Sequence, residues 1–521
     1  MSRALIAMAL AALLAVTTAL GRDASGLTRP AAALQNATTA SVSIDTTQPG
    51  TTVGTQPIGI NLGPWSSHNL DSGNPTQLAT MGASLVRFPS GSYSDAYDWV
   101  HNRLVPGQQG YIDPNNTWPN TLSRLILPAG AQPMVTVNYG TSPDGTRGGN
   151  ASFAAAWVAD AKARGLHGGI WEVGNETYGN GYYGICWEPD RWAGDIPCRQ
   201  KEANPALSPS AYATNAATFV TAMKAVDPSI TVLLVLAGPD SWFDTTTRSV
   251  HGKTVQAWNP TVLSKTCGWA DGYTIHYYPQ EPYHEDDAKL LQSPEKIAAR
   301  VATLQQQFAQ YCPGHRQPPT YVTETNSVSS QPGKQTTNLV NALYASVDAM
   351  AWAQGGLQSV DWWNLYNGGE VHNHSSSLYG SRSYGDYGVL SSGTVFKRYG
   401  WAEPPVGTPF PDYWGLALAG RALQPGSRFV AATTSTSDLV VYSTLLANGH
   451  VTAVLLNRSA STAYDATISF NGFTPQSGTA TWIGEKNDSS PQSGSVSIGH
   501  GQATFHLDPY TDAVLDFQAA P

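Results

Sequence analysis

From position 57 the chain alternates short apolar runs with longer stretches whose apolar residues recur at helical spacing. Eight runs read as strands: IGINL (58–62), SLVRF (84–88), PMVTVNY (133–139), GIWEVGN (169–175), TVLLVLAG (231–238), GYTIHYY (272–278), TYVTETN (320–326) and SVDWWNLY (359–366). They are rich in Val, Ile, Tyr and Trp and carry little charge, as strands buried on both faces require. Stretches 152–163, 209–225, 295–311 and 335–354 between them have the period of helices. Eight strands alternating with helices predict an α/β fold, a (β/α)8 barrel spanning 57–425. The competitor, a doubly wound open sheet, calls for a glycine-rich phosphate fingerprint after its first strand, and none follows IGINL.

Two changes of texture flank this region. After a last helical stretch, YWGLALAGRAL, residues 426–521 break into short alternating runs such as LVVYSTLL, VTAVLLNRS and ATISFNG, punctuated by Gly, Asn and Ser. That pattern predicts a C-terminal antiparallel β-sandwich. At the other end, SVSID within 40–56 predicts one or two strands that join the sandwich, and the Ala-rich stretch 25–39 reads as a flexible lead-in. Residues 1–24 hold an uncharged Ala/Leu-rich run from Ala4 to Gly21 between Arg3 and Arg22, the layout of a secretory signal peptide. Secretion to the extracellular space, with no membrane attachment after cleavage, is the expectation.

Composition narrows the partner. A net charge of −9 argues against nucleic acid and anionic membranes, whereas 16 Trp and 24 Tyr suit the flat C–H faces of sugar rings. The four cysteines, Cys186, Cys198, Cys267 and Cys312, are even in number and lack CxxC spacing, so disulfides are expected and a metal site is not. Three connectivities are open, of which Cys186/Cys198 with Cys267/Cys312 is the most economical. YHEDD (283–287) and HNH (372–374) lack the spacing of metal ligands, and no cofactor motif is present.

In such a barrel the reactive groups sit at the C-terminal strand ends. Two carboxylates stand there: Glu176 after the fourth strand and Glu324 near the end of the seventh. Retaining hydrolysis of a glycosidic bond needs one carboxylic acid to protonate the leaving oxygen and one carboxylate to attack the anomeric carbon, about 5–5.5 Å apart. Strand ends four and seven face each other across a barrel mouth. Asn175 precedes Glu176 and is placed to bond a sugar 2-OH, which argues against glycan on its sequon. His276 and Tyr278 share one face of the sixth strand, and the Tyr278 hydroxyl is expected to donate to Glu324. Arg87 ends the second strand, either bracing Glu324 or pairing with Asp95 or Asp98. Asn138 at the third strand end and Trp363 at the eighth complete the expected substrate contacts; of Trp362 and Trp363, one must face the core. Glu172 lies roughly 13 Å back along its strand from Glu176 and reads as a structural ion-pair partner. The aromatic loop 178–192 reads as a subsite wall or a stabilising Ω-loop.

WEVGNE followed by TETNS, with HYY between, resembles the clan A glycoside hydrolases. The resemblance implies Glu176 as acid/base and Glu324 as nucleophile. SLVRFPSGSYSDAYDW resembles the second-strand region of α-L-arabinofuranosidases in that clan, but has Ser90 in place of Gly, Ser92 where Asn often binds sugar, and no glutamate in the first strand. The ETNS context and the strand-plus-sandwich layout resemble the β-glucuronidase and heparanase family. Together these imply a secreted retaining glycosidase, β-glucuronidase-like or α-L-arabinofuranosidase-like, acting on plant or microbial polysaccharide or glycosides. The alternatives are a carbohydrate-binding protein on a decayed barrel and a transglycosidase.

Overall fold

The computed structural model describes residues 37–519 apart from 240, 242, 244–247, 251 and 374; the segment read as a signal peptide lies outside the described residues. Eight parallel strands close into a barrel, in chain order Ile58–Asn61, Leu85–Phe88, Gln132–Val137, Ile170–Val173, Thr231–Val235, Gly272–Tyr277, Thr320–Thr325 and Val360–Trp362. Seven fall within the runs of the sequence pattern, and the third begins one residue earlier, at Gln132. Their outward residues, among them Val86, Val135, Trp171, Leu234, Ile275 and Trp362, are buried against the helical layer. Trp362 is thus the core member of the tryptophan pair, its indole donating to Asp412 (3.0 Å).

Side chains close the helix starts locally. Asn150, Ser208 and Asp286 each accept a bond from a first-turn amide of the helices Ala151–Ala163, Pro209–Val226 and Asp287–Gln292. Inside the barrel, Gly59 leaves room for Asp361, since a Cβ there would meet the carboxylate at 2.0 Å. Disulfides join Cys186 to Cys198 and Cys267 to Cys312, with Cα atoms 5.9 and 5.6 Å apart.

The second layer is a β-sandwich of ten strands. Arg428–Thr434 pairs with Leu439–Leu445 through its first residues and with Thr38–Asp45 through its last, so it passes from one sheet to the other. Val42, Ile44, Val430, Leu455, Ile468 and Leu515 fill the space between the sheets. Two details differ from the sequence expectation. The strand Thr38–Asp45 runs parallel to Tyr464–Asn471, so the sandwich is not wholly antiparallel. It also starts inside the stretch read as a lead-in, because Ala40 and Val42 face the core at period two. Helix Pro411–Ala422 docks the sandwich on the barrel, with Arg421 donating to Thr481 (2.9 Å) and Thr444 to the Ala422 carbonyl (2.8 Å).

Candidate active site

Period-two geometry stacks the barrel's inward side chains in layers. Leu85, Met134, Ile170, Leu233 and Tyr321 form an apolar plug. Two residues further along their strands come Arg87, Thr136, Glu172 and Thr323, and the character of the interior reverses. Arg87 is fully buried and its Nε donates to Glu172 Oε2 (2.7 Å). Thr136 donates to the same oxygen (2.8 Å) and Thr323 to Oε1 (3.3 Å), so Glu172 is held in the floor of the cleft. Arg87 Nη1 donates to Glu324 Oε1 (2.7 Å) and Asn61 Oδ1 (3.0 Å), and Nη2 to Asn175 Oδ1 (2.7 Å). The alternative pairing with Asp95 or Asp98 does not occur. Asp95 accepts from the amides of Tyr139, Gly140 and Asn175, and Asp98 pairs with His101 and Arg103.

Thr323 and Glu324 are neighbours in sequence and should face opposite sides of a regular strand. A bulge between the sixth and seventh strands, where the pairing shifts from Ile275/Val322 to His276/Glu324, turns both inward. Glu324 Oε2 then accepts from Tyr278 (3.0 Å) and lies 3.4 Å from His276 Nδ1. Glu176 follows the fourth strand in a left-handed conformation (φ 30°), a strained state for a residue with a Cβ, costing about 1–3 kcal/mol. Its Oε1 meets Tyr178 (2.9 Å) and His276 Nδ1 (2.9 Å), and its Oε2 accepts from the Trp187 indole (2.6 Å). Glu176, His276 and Glu324 each offer an atom within 4.8 Å of the other two. That donor set is also the one among the described residues spaced to take a cation, although each member already has protein partners.

Burial pushes the Glu176 carboxyl up, but the hydrogen bond and charge of His276, with Tyr178 and Trp187, outweigh it and hold the group below its ordinary value. For His276 burial acts downward, and the carboxylates of Glu324 and Glu176 reverse it, so the imidazole binds its proton more tightly than usual. Each charged form thus favours the other, carboxylate on Glu176 and imidazolium on His276.

Asn175 is buried and spans Arg87 and Glu188, to which its amide donates (2.8 Å), leaving one amide proton without a partner among the described residues. Trp363 is half-buried beside Trp65 (6.1 Å between centroids), which meets Tyr93 edge-on (5.1 Å), making an aromatic wall. A Cβ on Gly91, which has φ +65°, would strike Trp363 at 2.5 Å, so the glycine keeps the wall in place. Asn138 is turned away from substrate duty. It donates to the Tyr97 carbonyl and Thr141 and accepts from the Thr141 amide, which is a turn rather than a binding contact.

The sequence pattern singles out no site residue of the 178–192 loop, yet three of its residues reach the cleft: Tyr178, Trp187 and Glu188. Glu188 is buried, accepting from Asn175 and Ser92 (2.7 Å). Burial, with the charges of Asp95 and Glu176, holds its carboxyl well above the usual range. The two histidine- and acid-rich motifs have structural roles. Asp286 caps a helix, Asp287 accepts from Gln335 and the Tyr379 amide, and Asn373 bonds Glu285.

No family model matches the chain. Solved structures match it over nearly its whole described length. The family 51 arabinofuranosidase of Xanthomonas axonopodis pv. citri aligns at TM-score 0.62 and 14% identity, over 92% of this chain and 100% of that one. The fold is that of the arabinofuranosidase barrels. A family 51 α-L-arabinofuranosidase of Bifidobacterium longum gives TM-score 0.63 and 15% identity over 93% and 100%. A family 44 xyloglucanase of Paenibacillus polymyxa gives 0.60 and 11% over 93% and 100%. In sequence, the chain is 23% identical over 232 residues to the probable α-L-arabinofuranosidase C of Aspergillus niger, 40% of each chain. The alignment thus spans well under two thirds of that curated relative. The resemblance to clan A glycoside hydrolases holds, and it extends to proteins acting on different sugars.

Proposed function

We propose that the protein is a secreted retaining glycoside hydrolase with Glu324 as nucleophile and Glu176 as acid/base. The observation that carries this reading is the approach of the two carboxylates to within 4.8 Å, with His276 between them and otherwise different partners around each. Retaining enzymes hold the pair about 5–5.5 Å apart, and inverting ones about 6.5–9.5 Å. Arg87 and Tyr278 hold and aim the Glu324 carboxylate through their hydrogen bonds. As Glu324 attacks the anomeric carbon, the proton of the His276 imidazolium passes through Glu176 to the leaving oxygen. Water then adds to the glycosyl-Glu324 ester with Glu176 accepting its proton. The free amide proton of Asn175 is in position to bond the sugar 2-OH.

The glycone is proposed to be a neutral one, an α-L-arabinofuranoside. A uronate in the same place would call for a cation. The arginine at the pair, Arg87, is already engaged by Glu172, Asn61, Glu324 and Asn175. The arabinofuranosidases among the similar structures point the same way. Secretion rests on the leader-like N-terminus and on two disulfides, bonds that persist in oxidising compartments.

A panel of nitrophenyl glycosides, including α-L-arabinofuranoside, β-D-glucuronide and β-D-xyloside, tests the glycone. Glu324→Gly should be inactive on all of them and regain turnover with azide, yielding the glycosyl azide of inverted configuration. Ordinary turnover in that variant without azide would remove Glu324 from its role.

A further inference from the structure

The long connection from the eighth barrel strand to helix Pro411–Ala422 carries a small hairpin, Val395–Phe396 paired with Trp401–Ala402, on the side of the barrel where the strands end. Of the ten large apolar side chains exposed among the described residues, four lie within this one excursion: Val395, Tyr399, Trp401 and Val406. Tyr399 and Trp401 stack nearly parallel, with centroids 5.3 Å apart and an angle of 19° between planes. Both remain over a third exposed, at 44% and 38%. The guanidinium of Arg398 sits 5.9 Å from the Tyr399 ring, and Lys397 beside it is exposed. Among the described residues neither cation has a carboxylate partner.

The hairpin is rigid beneath this surface. Glu403 accepts from Ser391 (3.3 Å), Ser392 (2.9 Å) and the Thr394 amide (3.0 Å). Phe396 is buried, stacked on Tyr384 (5.3 Å) and clustered with Phe410. The fold's own apolar demand is met below by Phe396, so the ring pair above it is not there for packing. Isolated exposed aromatics need no explanation, whereas a parallel pair held on a braced hairpin is a preformed flat surface. Such a surface fits a ring with axial C–H bonds, and the adjoining Lys397 and Arg398 fit an anion on that ring.

We infer that the Tyr399–Trp401 platform, with Lys397 and Arg398, is a second carbohydrate site that holds a polysaccharide chain bearing uronic acid residues. It would retain an acidic backbone while the barrel cleft removes neutral side groups, and in that respect it rests on the proposed glycosidase activity. Native gel electrophoresis of the full chain through glucuronoxylan, polygalacturonate or neutral arabinan tests it, alongside flotation with anionic phospholipid vesicles. Both acidic gels should retard the protein and the arabinan gel much less. Tyr399→Ala/Trp401→Ala should weaken retention by at least about tenfold, as should Lys397→Ala/Arg398→Ala, which keeps both rings. Turnover of a nitrophenyl glycoside should stay within about twofold in both variants, because neither touches the cleft. Unchanged retention in the charge variant, equal retention by arabinan, or binding to vesicles in place of polysaccharide would overturn the inference. Retention without turnover of any glycoside would instead sink the hydrolase reading and leave the platform standing.

Discussion

The two walls of the cleft are built by different means. Around Glu324 every partner comes from a barrel strand or its immediate end: Arg87, His276 and Tyr278. Around Glu176, two of three partners, Tyr178 and Trp187, come from the loop beyond the fourth strand, which the Cys186–Cys198 bond ties down. Glu324 is thus part of the barrel's buried hydrogen-bond network, and Glu176 is held by a segment that could be altered without opening the barrel. Stability and catalysis should therefore be coupled on the first wall and separable on the second.

The harshest test removes the arginine. Arg87→Met leaves Glu172 and Glu324 buried without their cation, and breaking a buried pair in this way costs about 3–5 kcal/mol. Denaturant melts should show that loss together with abolished turnover; a variant as stable as the parent would contradict the coupling. Trp187→Phe removes the indole's bond to Glu176 Oε2, so turnover should fall roughly tenfold or more for leaving groups that need protonation. Its melt should stay within about 1 kcal/mol of the parent. A large loss of stability here would erase the distinction between the walls.

His276 joins them, and its effect is read in pH. The imidazole keeps its proton below a raised pKa and loses it as pH climbs through that value, so it sets the alkaline limb of kcat/KM. In His276→Gln only the carboxyl of Glu176 remains to hold that proton, and the limb should move to lower pH. An unmoved limb would show that the proton is held elsewhere. The mildest expected effect belongs to Glu188→Gln. Because burial and the nearby charges of Asp95 and Glu176 disfavour its carboxylate form, an amide of the same shape should cost less than about tenfold in kcat/KM. Glu188→Ala, which leaves the Asn175 amide unheld, should cost more. Equal losses in both would mean that Glu188 acts as an anion.

The contrast between the walls also explains what could be read in advance. A strand has a period, so the runs of the chain place His276 and Tyr278 on one face, and the contact of Tyr278 with Glu324 is legible in the sequence. The bulge that brings Thr323 and Glu324 to the same side has no mark in the sequence. Arg87 could not be decided from spacing, because its competing partners, Asp95 and Asp98, were nearer in the chain than Glu172 and Glu324. The loop has no period at all, so its aromatic richness marked a wall without saying that Trp187 and Glu188 would be the residues turned inward. Asn138 misled because a strand-end amide looks the same whether it faces a ligand or closes a turn with Thr141.

The strand Thr38–Asp45 is made early in synthesis and finds its hydrogen-bonding neighbours only near the end: Ser41 meets Ser435 across 394 positions of chain. Until then it presents an unpaired edge while the whole barrel is being extruded and closed, a topology that folds slowly and stays open to wrong pairing. Once inserted, the same strand acts as a latch. It joins the start of the described residues to Arg428–Thr434 and Tyr464–Asn471, and local opening of the sandwich must begin from strands such as Gln492–Ser495 or Ser497–Gly499 at the far margins of the sheet.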